Sequence, residues 1–263
     1  MQDALAGSVL RRGELRHPRL STRDLTGQRM LEARSIGKHV LLRFDSGRTL
    51  HNHLRMDGAW HLYGPNSCWQ RPAHQARAIL ADDQRTAVGF NLHDLRLLST
   101  SEEHAVIGHL GPDVLDPQWT DEHHVDAVRR MTTDPAREIG LALLDQSVLA
   151  GVGNLYKTEV CFLLGVRPRT PVVQVDADRA VRLSRDLLRR NAWHPQQTTT
   201  GRDGPRTTHW VYRRRQCRRC DGRVRRDKQG AEPEERVAYY CPHCQIDPEG
   251  QIDPESQADP GKP

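Results

Sequence analysis

Residues 217–244 read CRRC, then DGRVRRDKQGAEPEERVAYY, then CPHC: two Cys-x-x-Cys pairs separated by twenty residues. That spacing is the sequence signature of a four-cysteine zinc site. Each pair sits on a tight knuckle that turns two thiolates inward, and two knuckles complete a tetrahedron around the ion. Cys217, Cys220, Cys241 and Cys244 are therefore the expected ligands of a structural Zn2+. Redox pairs of the same form belong to βαβ surroundings, which this stretch lacks. RVAYY, with Val237 and Tyr239 alternating, reads as the returning strand of a hairpin.

The charge around the cysteines indicates what the hairpin meets. Nine basic residues lie between Arg213 and Lys228, opposed only by Asp221 and Asp227, a net +7. So dense a run on a small metal-held hairpin points to polyphosphate. The whole chain of 263 residues carries only +5, because Asp247–Pro263 holds five acids against Lys262, a net −4. That tail repeats itself as QIDPEG, QIDPES and QADPGK, and its composition is that of a disordered segment. No stretch is long and apolar enough for a membrane span, and the start has no signal-peptide pattern. A cytoplasmic protein without membrane contact is expected. Cys161, inside VCFLLGV, reads as a buried apolar residue.

Working outward, residues 1–115 read as strands. HVLLRF and RTLHNHLRM flank the turn Asp45-Ser46-Gly47, and AWHLYG, ARAILADD, TAVGFNL and LRLLS follow at short spacing. That spacing suits an antiparallel sandwich. The opening QDALAGSVL is a fragment of helix running into a strand. Residues 116–205 are helical. Thr120 or Asp121 caps a helix through Met131 with Val125 and Val128 inward, and Asp134-Pro135 opens a second helix carrying Ile139, Leu143 and Leu144. A third begins near Asn154 with Tyr156, Val160, Leu163 and Leu164, and Asp176 caps a fourth with Ala180, Leu183, Leu187 and Leu188 on one face. Residues 194–209 read as a polar connection, 206–245 as the zinc module and 246–263 as the acidic tail. The fold class is α+β, multidomain.

LDQSVLAGVGNLYKTE, residues 144–159, is the second informative stretch. A helix ends near Gln146, a turn with Gly151 and Gly153 follows, and a new helix starts at Asn154. Amides at that helix start, with the Asn154 side chain, can donate to a phosphate oxygen; a plain structural turn between packed helices has the same sequence pattern.

SIGKHVLLRF, HLRMDGAW, HLGPDVL, LLDQSVLAGVGNLYKTE and CRRC…ERVAYYCPHC together, in order from about residue 3 to residue 245, resemble the formamidopyrimidine-DNA glycosylase/endonuclease VIII family. The resemblance implies a β-sandwich, a helix–two-turn–helix module and a zinc finger, with DNA in the cleft between them. Members remove oxidised bases and then cut the abasic strand, so the implied partner is damaged DNA, double- or single-stranded, bound by a monomer. By position, Lys38 matches the family lysine that contacts phosphate beside the lesion and assists the chemistry. Leu54, Arg55 and Met56 match the loop that fills the void left by a flipped base. Asn154 matches the phosphate-clamping asparagine, and Arg236 the zinc-finger arginine that grips the flanking phosphates.

Two departures shape the functional expectation. Family members that use a Schiff-base mechanism begin Met-Pro-Glu, and the proline amine freed by removal of Met attacks C1′ while the glutamate handles protons. This sequence begins Met-Gln-Asp-Ala-Leu, aligned with the middle of the family's first helix, so Gln2 and Asp3 are not catalytic candidates. An upstream start carrying Pro-Glu is the favoured explanation; a non-catalytic binder of damaged DNA is the alternative. Secondly, Gly89–Leu98 reads GFNLHDLRLL and lacks the Arg-Arg-Phe wedge of the purine-reading branch, which resembles the endonuclease VIII branch and its oxidised pyrimidines.

Overall fold

Eight antiparallel strands build the first 109 residues into two sheets. The computed structural model describes all residues except 56, 66, 195, 202–207, 234, 247, 248 and 250–263. A short helix α1 (Gln2–Leu5) precedes β1 (Arg12–Leu15), β2 (Met30–Ile36), β3 (His39–Phe44), β4 (Arg48–His53), β5 (Ala59–Tyr63), β6 (Ala76–Ala81), β7 (Thr86–Phe90) and β8 (Asp94–Ser99), and α2 (His104–Ile107) follows. One sheet has the order β1-β6-β7-β5 and the other β2-β3-β4-β8. Leu42, Phe44, Leu50 and Leu95 from one sheet meet Leu15, Ala78, Leu80 and Ala87 from the other in a single core. Leu5 of α1 is fully buried in it, and the Gln2 side chain accepts the Ala33 N–H at 2.6 Å. A register shift between Ala76 and Ala78 turns Ala76 to the outer face of its sheet, where it packs with Ile79, Val88 and Phe90.

The chain divides into two compact units, Met1–His109 and Leu110–Pro263, and the expected zinc module at 206–245 falls within the second. That unit contains α3 (Asp121–Met131), α4 (Ile139–Leu144), α5 (Asn154–Leu164), α6 (Ala177–Asn191) and the hairpin β9 (Arg225–Gln229)–β10 (Arg236–Tyr240). The Asp176 carboxylate caps α6 by accepting the Arg179 N–H. Val160, Ala180, Leu187 and Leu188 join Ile139, Leu143 and Val152 in the helical core.

Two local expectations change. Val125 is 64% exposed, and Ala127 and Met131 form the buried face of α3 instead. Helix α4 does not open at Asp134-Pro135, because the backbone there is used elsewhere. Pro135 accepts the Val173 N–H, and the Ile139 and Gly140 N–H groups donate to Thr170 and Pro168. In β10 the buried residue is Ala238, while Val237 is 41% exposed. Met56 and most of the acidic tail lie outside the described residues.

Candidate nucleic-acid interface and metal centre

Antiparallel pairing of β3 with β4 sets His39 opposite His53, so Lys38, just before β3, and Leu54, just after β4, belong to the same end of the sheet. β8 adds Asp94 opposite His53 at that end. Gly37, with φ of 58°, makes the turn that presents half-buried Lys38. Leu54 is half-buried against the sandwich core and anchors the loop that follows. Its carbonyl accepts the Gly58 N–H at 3.0 Å, and a Cβ on Gly58 would lie 2.4 Å from that oxygen, so only glycine closes the turn there. Arg55 is exposed in the left-handed region, φ 54°, with its guanidinium 3.9 Å from Asp94. Met56 is not among the described residues.

Beneath this end lies a histidine cluster that the sequence reading passed over. His39 Nδ1 is 2.8 Å from His51 Nε2, with the rings stacked, and His39 meets His53 and His109 edge-on. Burial, followed by the neighbouring His51, His53 and His109, pushes the His39 pKa down to about 4. Burial also lowers His51 and His53. Neutral imidazoles at pH 7 follow from these shifts.

In the second unit the loop between α4 and α5 is tied by its own side chains. Asp145 accepts the Ser147 N–H at 2.8 Å, and Gln146 donates to Leu144 and Val152 while accepting the Gly151 N–H at 3.0 Å. Gly151, φ 103°, leaves a Cβ position only 2.9 Å from Val114. The loop delivers Asn154 to the first position of α5, after the N-cap Gly153. Asn154 Nδ2 donates to the Val237 carbonyl at 2.9 Å, which sets Asn154 beside the strand that begins at exposed Arg236. Its Oδ1 is buried without a hydrogen-bond partner among the described residues.

The four cysteines converge. Their Sγ atoms all lie within 4.8 Å of one another, with Cys217–Cys244 at 3.8 Å and Cys220–Cys241 at 3.5 Å. Tetrahedral zinc with Zn–S bonds of about 2.3 Å requires sulfurs roughly 3.8 Å apart, so the donor set fits that ion. The Arg219 N–H donates to Cys217 Sγ at 3.4 Å, as a thiolate on a knuckle accepts amides. Arg213, Arg214, Arg215, Arg223 and Arg226 line a cavity of about 1210 Å³ beside this cluster.

Three polar residues of this unit escaped the sequence reading. Glu159, fully buried, accepts N–H groups from Trp210, Val211 and Tyr212 at 2.7–2.9 Å and the Thr199 hydroxyl. Lys157 and Gln229 are likewise buried and bonded to each other. The available signal was the triplet Lys157-Thr158-Glu159 inside the otherwise apolar NLYKTEVCFLL, since charges inside an all-round apolar helix are buried with partners.

Comparison with known proteins bears on the two units as domains. The formamidopyrimidine-DNA glycosylase N-terminal domain profile matches residues 3–101 and the formamidopyrimidine-DNA glycosylase H2TH domain profile matches residues 110–190. A probable endonuclease 8 2 of Streptomyces coelicolor is 48% identical over 254 residues, covering 94% of this chain and 90% of that protein. The DNA-(apurinic or apyrimidinic site) lyase Nei2 of Mycolicibacterium smegmatis is 38% identical, covering 93% and 94%. The structure of Lactococcus lactis Fpg with DNA containing an abasic site superposes with a TM-score of 0.70 at 18% identity, covering 93% and 94%, a likeness of fold.

Proposed function

The chain belongs to the formamidopyrimidine-DNA glycosylase/endonuclease VIII family, nearer the endonuclease VIII branch, and on that premise we propose that it excises oxidised bases, pyrimidines foremost, and then cleaves the abasic strand. The reading is that of a base-excision repair glycosylase with abasic-site lyase activity. The observation that carries it is the hydrogen bond from Asn154 to Val237, which couples the asparagine at the start of α5 to the strand bearing Arg236. In this reading Asn154 and Arg236 grip the phosphates flanking the damaged nucleotide. An arginine fork holds a phosphate bidentately, and an amide with one N–H engaged keeps a second to donate. Lys38 contacts phosphate beside the lesion, and the Leu54–Met56 loop fills the space left by the flipped nucleotide, where an apolar wedge offsets lost stacking. The link from β7 to β8 is only Asn91–His93, too short for a purine-reading wedge, and supports the pyrimidine preference.

Zn2+ on Cys217, Cys220, Cys241 and Cys244 would supply structure: it closes the base of the hairpin that carries Arg236. The bond-forming group of the reading is a chain-terminal proline amine, which attacks C1′ to give the Schiff base. The sequence given begins Met-Gln-Asp and contains no such proline. A lysine ammonium titrates about two units above a chain-terminal amine, so Lys38 is a poor replacement for it.

The test is borohydride trapping on abasic and oxidised-pyrimidine duplexes, run in parallel on this chain and on one preceded by a helix that begins Pro-Glu after Met removal. The extended chain is expected to form the covalent adduct and nick the strand, and the shorter one to bind without trapping. Failure of both would sink the enzymatic reading. Trapping by the short chain, lost in Lys38→Ala, would move the nucleophile to Lys38.

A further inference from the structure

Helix α5 touches both strands of the zinc hairpin from one face. Asn154 reaches the Val237 carbonyl on β10, and Lys157, one turn on at i+3, donates from Nζ to Gln229 Oε1 on β9 at 3.1 Å. Gln229 is the cross-strand partner of Arg236. Its side chain, 1% exposed, enters a fitted slot: Nε2 donates to Glu138 at 2.7 Å and to the Pro168 carbonyl at 2.8 Å. The slot exists because residue 140 is glycine; a Cβ there would lie 2.4 Å from Gln229 Oε1. Glu138 is bonded in turn to Arg169, which also holds Asp227 and the Lys228 carbonyl of β9.

The cysteines fix the hairpin at the end where β9 begins and β10 ends. Arg236 lies at the opposite end, beyond their direct hold. A two-stranded ribbon is marginally stable by itself and bends readily along its length. We infer that Lys157, acting through Gln229, is a positioning residue that fixes the Arg236 end of the hairpin against Asn154 and so sets the spacing of the two phosphate-gripping side chains. This rests on the proposed roles of Asn154 and Arg236.

Stability alone does not account for a lysine at this place. Lys157 has no exposed surface, and burial draws its pKa down to about 8, with Glu138 and Cys161 pulling the other way. Replacing both partners of such a buried contact by apolar side chains is commonly neutral or stabilising, whereas orientation is lost; replacing Lys157 alone also leaves Gln229 Oε1 without this donor. A methionine would fill the volume and release the hairpin end.

The experiment compares affinity for a duplex containing a tetrahydrofuran abasic analogue, at fixed salt, with the thermal midpoint of the zinc-loaded full chain. Lys157→Met is expected to weaken binding about tenfold, more than its fall in midpoint accounts for. Lys157→Gln keeps an N–H donor toward Gln229 and is expected to recover part of the loss. In an Arg236→Ala background, Lys157→Met is expected to add less than about twofold, since its effect passes through Arg236. Wild-type affinity in Lys157→Met, a full further loss in the Arg236→Ala background, or affinity falling only in step with the midpoint in both variants would each overturn the inference. Unchanged affinity in Arg236→Ala alone would instead overturn the phosphate-gripping reading on which it rests.

Discussion

Glu159 places a carboxylate in the middle of an apolar helix, and every bond it makes organises the segment leading to the zinc knuckle. Both oxygens accept backbone N–H groups, so an amide in its place would turn an NH2 toward a donor. Glu159→Gln is expected to lower unfolding free energy by about 2–4 kcal/mol, in the range for buried charge-assisted bonds. A urea midpoint within error of wild type would show that the carboxylate is dispensable. His39 carries a prediction of a different sort. Its pKa of about 4 lies below the value of about 6.5 expected for an unfolded chain. The unfolded state therefore binds more protons between those values, and stability present above pH 6.5 is lost as pH falls towards 4. His51 and His53, lowered by burial, act in the same direction; Lys38, Arg55 and Arg96 oppose protonation of the cluster and Asp94 and Glu103 favour it. Unfolding in urea from pH 7.5 to 5.5, above most carboxylate titration, is expected to lose on the order of 1 kcal/mol, with a shallower loss in His39→Gln. A midpoint that stays level across that window would refute it.

At the scale of elements, the sandwich strands were legible as short apolar runs separated by turn residues. HVLLRF and RTLHNH flank a turn that Gly47, φ 72°, can close. The start of α5 was legible from glycines followed by an apolar period, and the cysteines from spacing alone. What could not be read is where backbone groups find partners far along the chain. Asp134-Pro135 has the form of a helix start, yet the N–H groups of Ile139 and Gly140 are taken by Thr170 and Pro168, so α4 begins later. Val125 was assigned inward by hydropathy, but the small Ala127 occupies the close approach. The hairpin follows the same logic: two strands that cannot stand alone have four converging cysteines, fit for a metal ion, at one end and α5 at the other. Chelating the metal is expected to reduce affinity for abasic DNA by at least about tenfold while most strand signal in circular dichroism persists, because binding energy at such sites is folding energy. Cys241→Ser is expected to do the same. DNA binding that survives either treatment at equal salt would remove the hairpin from the interface.

For the whole molecule, the distribution of charge matters more than its sum. A segment of +7 at Arg213–Lys228 and a tail of −4 at Asp247–Pro263 share a chain of net +5. A basic run this dense raises the local concentration of polyanion. The tail leaves the body at a tied point. Gln245 is buried, accepting the Cys241 N–H and donating to Val166, and Ile246 pairs with Val166 through backbone bonds to Gly165 and Arg167. Three residues on, Glu249 lines a cavity of about 310 Å³ with Arg167, Arg169 and Tyr240. An acidic segment tethered this close would have an effective concentration in the millimolar range and is expected to compete with phosphate for the basic surface. Ending the chain after Ile246 leaves the bonds of Gln245 and Ile246 in place, so the hairpin should persist. At about 50 mM salt the shortened chain is expected to bind duplex DNA two- to fivefold more tightly, whatever its sequence or lesion, since the gain is electrostatic. The advantage should vanish near 1 M, where the screening length falls to about 3 Å. Equal affinities at low salt would mean that the tail does not reach the basic surface, and a gain restricted to damaged DNA would mean that it acts on the lesion site instead.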